Sequence, residues 1–175
     1  GLLRGFLRAA LALVLCVVAA AGLYGARHLL RTRPEFAVRA VRVSPTTHVR
    51  AEQLLQLGGV APGQNLFAVD LGEVRARVAA EPWLRSVRVQ RELPATISIV
   101  VEEHEPAALI ALESLYLVST EGVVFKRATP DEALGRPVIT GLGRDFFLEA
   151  RDESQALIRE ALDAERVYRE AERRP

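Results

Sequence analysis

Residues 81–106 read EPWLRSVRVQRELPATISIVVEEHEP. Val87 and Val89 alternate with Arg88 and Gln90, and Ile97, Ile99 and Val101 recur at the same two-residue period beside Thr96 and Ser98. That period belongs to strands with one buried face, and Leu93-Pro94 between the two runs is turn chemistry. The stretch predicts a β-hairpin whose apolar face needs a cover.

The segment before the hairpin supplies one. Asp70 can accept from the free N–H groups of a helix start, with Glu73 reaching back to the cap. Leu71, Val74 and Val78 then form an inner face at i, i+3 and i+7, Arg75 and Arg77 lie outside it, and Pro82 stops the helix. A shorter helix is capped by Thr47, carries Val49, Leu54, Leu55 and Leu57, and ends at Gly58-Gly59, where glycine permits a left-handed C-cap. Upstream, Phe36 to Val43 alternate as a strand, with a bulge where the parity slips near Ala40, until Ser44-Pro45-Thr46-Thr47 breaks it. The predicted order is βααββ over residues 36–105, an α+β domain in which two short helices cover three strands.

After Pro106, Ala108–Leu112, Leu115–Ser119 and Val123–Phe125 read as short strands with a Glu121-Gly122 turn before the last. Pro130 and Pro137 bracket a polar loop ahead of a strand at Val138-Ile139-Thr140. Arg151 to Arg173 reads as a helix capped by Asp152 and Gln155. Leu157, Ala161, Ala164 and Tyr168 form its stripe, Ile158 and Leu162 lie beside it, and Glu165–Arg169 and Glu170–Arg174 pair at i, i+4. One meander and one helix have too few strands to close a core. Residues 106–175 are therefore expected to be a β domain incomplete at its C-terminal end.

The head of the chain is different. Ala9 to Ala26 contains no charged residue, and its centre includes Leu11, Leu13, Val14, Leu15, Cys16, Val17 and Val18. As a helix the run is about 27 Å long, close to a hydrocarbon core of about 30 Å. The reading is a membrane helix at 9–26, after a cytoplasmic tail at 1–8 and before a juxtamembrane linker at 27–35, with Arg4, Arg8 and Arg27 snorkelling toward headgroups. A cleaved signal peptide is the main alternative, since Ala19-Ala20-Ala21 follows Arg4 and Arg8, although its apolar core would exceed the usual 7–15 residues. A buried soluble helix would ordinarily show a polar face. The formal charge of +1 hides the asymmetry: residues 1–34 hold five of the 23 basic side chains and none of the 22 acids. With Arg27, Arg31 and Arg33 after the run and two arginines before it, local charge leans against an exported C-terminal domain.

Catalytic chemistry finds no footing. The only cysteine, Cys16, lies in the apolar run, which excludes a disulfide scaffold and a Cys-based zinc site. His28, His48 and His104 match no metal spacing and read as surface residues, and Glu102-Glu103-His104-Glu105 reads as a solvated strand end. Gly58 to Gly63 lacks the Lys-[Ser/Thr] of a phosphate loop, no Gly-x-Ser-x-Gly elbow occurs, and the arginines lack aromatic interleaving. The chain is expected to have no catalytic residues, cofactor, metal, nucleic acid or small-molecule substrate. A binding module fits better than an enzyme.

Four stretches, GGVAPGQNLFAVD (58–70), EPWLRSVRVQRELP (81–94), ISIVVEEHEPAA (97–108) and EGVVF (121–125), resemble the FtsQ/DivIB family of bitopic bacterial cell division proteins. The resemblance runs from about residue 9 to 145 and implies a membrane anchor, a POTRA domain and a β domain, without enzymatic activity. It implies an inner-membrane protein at the division septum, N-terminus inside and C-terminal domain in the periplasm. The implied partners are membrane lipid and the divisome proteins FtsB and FtsL, with FtsK, FtsW and FtsI as further ones, and the implied role is regulation of septal peptidoglycan synthesis. The family's recruiting surface near the second POTRA strand falls on Ser86, Arg88, Val89, Gln90 and Arg91, with Arg88 and Gln90 facing away from the core. Strand addition to an exposed edge is the expected contact, and plain solvated strand residues are the alternative. The family's FtsB site lies in strands beyond a helix that here ends near Arg173. The competing reading is a POTRA component of outer-membrane protein assembly or secretion, which should carry several repeats or a barrel.

Overall fold

The computed structural model describes residues 2–172, leaving aside the side chains of residues 2–9, 31, 32 and 172. The expected snorkelling of Arg4 and Arg8, the pair Glu170–Arg174 and the helix end at Arg173 lie outside the described residues. Two compact units emerge, one within Gly1–Pro45, Ala51–Val78 and Arg88–Val100, the other within Thr46–Arg50, Ala79–Val87 and Val101–Pro175.

The first unit opens with helix α1 (Leu2–Thr32). Its stretch Ala10–Leu30, 21 residues of mean hydropathy 1.9, is long and apolar enough to cross a membrane by length and composition. Leu11, Leu13, Val14, Leu15, Val17 and Val18 are exposed along it, as is Cys16. The stretch shows no polar face, the pattern expected of a helix whose every side would meet hydrocarbon. The helix continues to Thr32, and a 3₁₀ turn at Pro34–Phe36 follows.

The first strand is shorter than its alternation suggests. Pro34 fixes the backbone for a turn, and the N–H groups of Phe36 and Ala37 bond Arg33 O and Pro34 O at 3.2 and 3.1 Å. β1 therefore begins only at Ala40 (Ala40–Val43). Then come α2 (Ala51–Gly58), α3 (Leu71–Val78), β2 (Leu84–Glu92) and β3 (Thr96–Glu103). The sheet order is β1-β3-β2, with β1 parallel to β3 from Ala40↔Thr96 to Val43↔Ile99. The α+β class and the βααββ order are as expected.

Glycine and capping chemistry place the two helices. Gly59 has φ +62°, and its N–H bonds Leu55 O and Gln56 O, both at 3.1 Å. At Gly58 an added Cβ would already be 3.6 Å from Val74, Val78 and Ile99, so α2, α3 and β3 meet at this point with no void. Asp70 Oδ1 accepts the N–H groups of Gly72 and Glu73 at 2.8 and 3.2 Å, as its cap role requires. Glu73 does not complete a capping box; it takes Arg77 at 2.6 Å, one turn ahead, while Arg77 Nη2 donates to Gly58 O at 2.6 Å. Thr47 does not cap α2, which starts at Ala51. Leu54, Leu66, Val74, Val78, Ile97 and Ile99 are fully buried, each worth about 1.5–3 kcal/mol relative to exposure.

The second unit holds β4 (Pro106–Ala111), β5 (Leu115–Ser119), β6 (Val124–Arg127) and β7 (Val138–Ile139) in the order β6-β5-β4-β7, with β7 parallel to β4. Two short helices were not foreseen: α4 (Pro130–Ala133), inside the expected polar loop, and α5 (Arg144–Glu149). The last helix is α6 (Arg151–Glu172). Only Ala150 separates α5 from α6, and its carbonyl accepts from Ser154 at 2.8 Å, so Asp152 sits within the first turn and not at the cap. The buried face of α6 runs through Ser154 and Ile158 with Leu162 half-buried, whereas Leu157 and Tyr168 are exposed. Ile158 joins Ala108, Ile110 and Val118 in a core flanked by Tyr116, Val124, Ile139, Phe147 and Leu162.

Candidate partner-binding surface

Among the described residues β2 has β3 as its one neighbour, so its other edge is unpaired there. Along the strand Leu84 and Val87 are buried, Val89 is half-buried, and Arg88 and Gln90 are exposed. The side chains of Arg88 and Gln90 make no hydrogen bond or ion pair among the described residues. A nine-residue edge of this kind presents backbone donors and acceptors to an added strand, with polar side chains alongside to select it.

The five residues singled out from the sequence all lie on β2, but they are not equivalent. Ser86 Oγ donates to Glu102 Oε2 at 2.8 Å. Arg91 donates from Nε to Leu66 O at 2.8 Å and from Nη2 to Val69 O at 2.7 Å, bracing the segment between α2 and α3. Arg88, Val89 and Gln90 carry no such internal duty.

A second concentration of side chains, in the other unit, went unread in the sequence. His48 stacks on Trp83 with ring centres 3.9 Å apart, Trp83 meets Phe125 at 5.4 Å, and Phe125 stacks on His104 at 4.6 Å. Lys126 Nζ lies 5.3 Å from the Trp83 ring centre and donates to Glu132 at 2.5 and 2.8 Å. Glu103 accepts the backbone N–H groups of Thr47, His48 and Val49 at 2.9, 3.0 and 3.0 Å, and its Oε2 lies 3.2 Å from His48 Nδ1. Burial pushes the Glu103 carboxyl up, but these bonds outweigh it and hold the carboxyl below its ordinary value.

The solvated strand end expected at 102–105 is therefore corrected at two positions. Glu103 is nearly enclosed, with a side chain 13% exposed, and His104 is buried. Residues 46–50, Trp83 and Phe125 cover them, contacts that no local alternation can reveal. His104 donates its backbone N–H to Trp83 O at 2.8 Å, while its Nδ1 is buried without a partner among the described residues. Burial lowers its pKa, the Glu121 carboxylate offsets part of that, and the Arg85 guanidinium adds to it. Arg85 bonds Glu121 and lies 3.0 Å from Glu102, and the Glu102 hydrogen bond and the Glu121 charge raise its own pKa. A chain-unique Trp flanked by distant His and Phe residues was the available signal.

The rings pack as an internal cluster, and it is the open strand edge that suits recognition of another chain. Among the described residues no three His, Cys, Asp or Glu side chains are grouped to hold a metal ion.

Comparison with known proteins agrees with this architecture. Residues 36–104 match the POTRA domain of FtsQ type. The cell division protein FtsQ of Myxococcus fulvus is 35% identical over 137 residues, 78% of this chain and 48% of the relative. FtsQ of an Anaeromyxobacter species is 38% identical over 125 residues, 71% of this chain and 42% of its own length. FtsQ of Syntrophotalea carbinolica is 33% identical over 154 residues, 88% and 53% respectively. The chain thus spans about half the length of the curated relatives it matches.

Proposed function

From a chain that belongs to the FtsQ family by its FtsQ-type POTRA domain and by its likeness to curated FtsQ proteins, we propose a cell division scaffold that works through protein contacts and carries no enzymatic activity. It is anchored once in the inner membrane by α1, N-terminus inside, with the remainder in the periplasm at the septum. Its partners are divisome proteins of the FtsB, FtsL, FtsK, FtsW and FtsI classes, and by gathering them it helps control septal peptidoglycan synthesis. The apolar stretch of α1 supports the anchor.

The observation that carries the reading is the open edge of β2, where Arg88 and Gln90 are exposed and uncommitted. An incoming strand gains main-chain hydrogen bonds there at little reorganisation cost, and the two polar side chains select its sequence.

The experiment is depletion of the protein in the organism of origin, with a fluorescent copy expressed from a second locus. Filamentous cells on depletion, rescued by a copy that collects at the septum, are the expected result. Normal division accompanied by loss of outer-membrane barrels would overturn the proposal in favour of an outer-membrane assembly role.

A further inference from the structure

At the end of the apolar stretch of α1, Leu23, Ala26, Arg27 and Leu30 fall at i, i+3, i+4 and i+7 and so share one helix face. Phe67 and Arg91 close against that face, leaving an open groove of about 590 Å³ lined by these six residues and no acid. We propose that this groove binds an anionic phospholipid of the surrounding bilayer. Its phosphate lies between Arg27 and Arg91, and an acyl chain runs down the Leu23 side of α1. The inference rests on α1 crossing a membrane, as argued above.

Three observations place a lipid there. First, depth: the 21 residues of Ala10–Leu30 span about 32 Å as a helix, so Arg27 falls in the last turns, at headgroup level. Tyr24, exposed and 6.4 Å from the His28 ring, is the residue type expected at that level. Second, the walls are fixed. Asn65 Nδ2 donates to Leu30 O at 3.0 Å and to Arg33 O at 3.4 Å, tying the helix end to the loop that carries Phe67. Phe67 itself stands edge-on to Phe36 at 5.1 Å.

Third, the charge is preorganised. Arg91 uses Nε and Nη2 to hold Leu66 O and Val69 O, which orients the guanidinium and leaves Nη1 for a ligand. Arg27 has no ion-pair partner among the described residues. Two guanidiniums facing one groove suit a phosphate monoanion, for which Arg offers paired donors. A free phosphate would use the two charges but leave Leu23, Ala26, Leu30 and Phe67 idle. A phospholipid uses both halves.

The test inserts the full chain into nanodiscs of phosphatidylcholine containing a minority of phosphatidylglycerol, then weighs the lipids retained on the released protein by native mass spectrometry. Phosphatidylglycerol should be retained over phosphatidylcholine. Arg27→Gln should cut that retention about fivefold, the effect of one guanidinium near an anionic headgroup. Arg27 lies on an exposed helix face, so its loss leaves the fold intact. Arg75→Gln, on the exposed side of α3 and outside the groove, should leave retention unchanged. Equal retention of the two lipids, or no change in Arg27→Gln, would overturn the site while leaving the anchor standing. Displacement of the lipid by excess inorganic phosphate would show a free-anion site instead. Failure of the chain to enter the nanodiscs would overturn both the anchor and the site.

Discussion

The imidazole of His48 lies flat on the indole of Trp83, with ring centres 3.9 Å apart and planes 6° from parallel. The same imidazole faces Glu103 through Nδ1, so one ring couples an aromatic contact to a carboxylate that also binds three successive backbone N–H groups. The segment 46–50 is held by one side chain from the end of β3.

Replacing Glu103 by Gln should therefore destabilise this unit by about 1–3 kcal/mol, because an amide puts its own N–H₂ against donors that need an acceptor. Urea unfolding of wild type and variant at neutral pH measures the difference. The folded carboxyl titrates below its ordinary value of 4.5, so its contribution is complete above that pH and is lost as pH falls through the folded value. The gap between the two proteins should shrink on acidification below about 4.5 and stay constant above it.

His104 carries the opposite charge logic to the same sign. Burial, with Arg85 adding to it and Glu121 opposing it, keeps the ring neutral below its ordinary 6.5. Stability is full above that value and falls as pH drops from 6.5 toward the folded pKa, since the unfolded chain takes up the proton first. Thermal melts at pH 7.5 and 5.5 should show a lower midpoint at the acidic pH for wild type. His104→Gln should show a smaller difference.

Gly122 turns the chain between β5 and β6 at φ +79°, and a Cβ there would come 2.7 Å from Arg159 Cγ and 3.5 Å from Gln155 O. Gly122→Ala should cost about 1–2 kcal/mol from the backbone alone, with displacement of the Arg159 side chain added. Chemical denaturation reads the loss. An unchanged midpoint would mean that Gly122 does not hold a left-handed conformation at this turn, and a loss no larger than the backbone cost that Arg159 is not held over it.

The edge of β2 separates stability from recognition. Arg88→Glu combined with Gln90→Glu alters two exposed side chains and should move stability by less than about 0.5 kcal/mol per site. The pair should nevertheless weaken septal recruitment of a partner that adds a strand there, scored by fluorescence of the tagged partner in cells carrying the variant. Unaltered recruitment with an unaltered melt would remove this edge from the contact.

Much of the first unit could be read from residues alone, because alternation at Ile97 and Ile99 and capping at Asp70 are local rules that the tertiary structure obeys. The register of α6 was not legible in the same way. Its apolar residues occupy two flanks, and only the sheet decides that Ile158 is buried while Leu157 is not. For α4 a signal was present, since Thr129-Pro130-Asp131-Glu132 has both a cap and a helix-starting proline, and the Thr129 N–H does bond Glu132 at 2.9 Å. Glu103 and His104 were misread because their environment comes from segments up to 56 residues away. The five β2 positions were legible as outward or half-buried strand residues, but the inward commitment of Arg91 depended on carbonyls at 66 and 69.

The parallel pairing of β1 with β3 also sets a timetable. Ala40 is made first and its partner Thr96 only 56 residues later, while β2 has to emerge in between and take the outer place. At a synthesis rate of about 5–20 residues per second, that wait is roughly 3–11 s. During it the leading strand has no sheet to join, and the loop it must finally close is long. A chain made from its N-terminus therefore cannot assemble this sheet piecemeal. Its central strand arrives last, and completion of the sheet is a single late event that reports that the whole of residues 36–103 has been delivered.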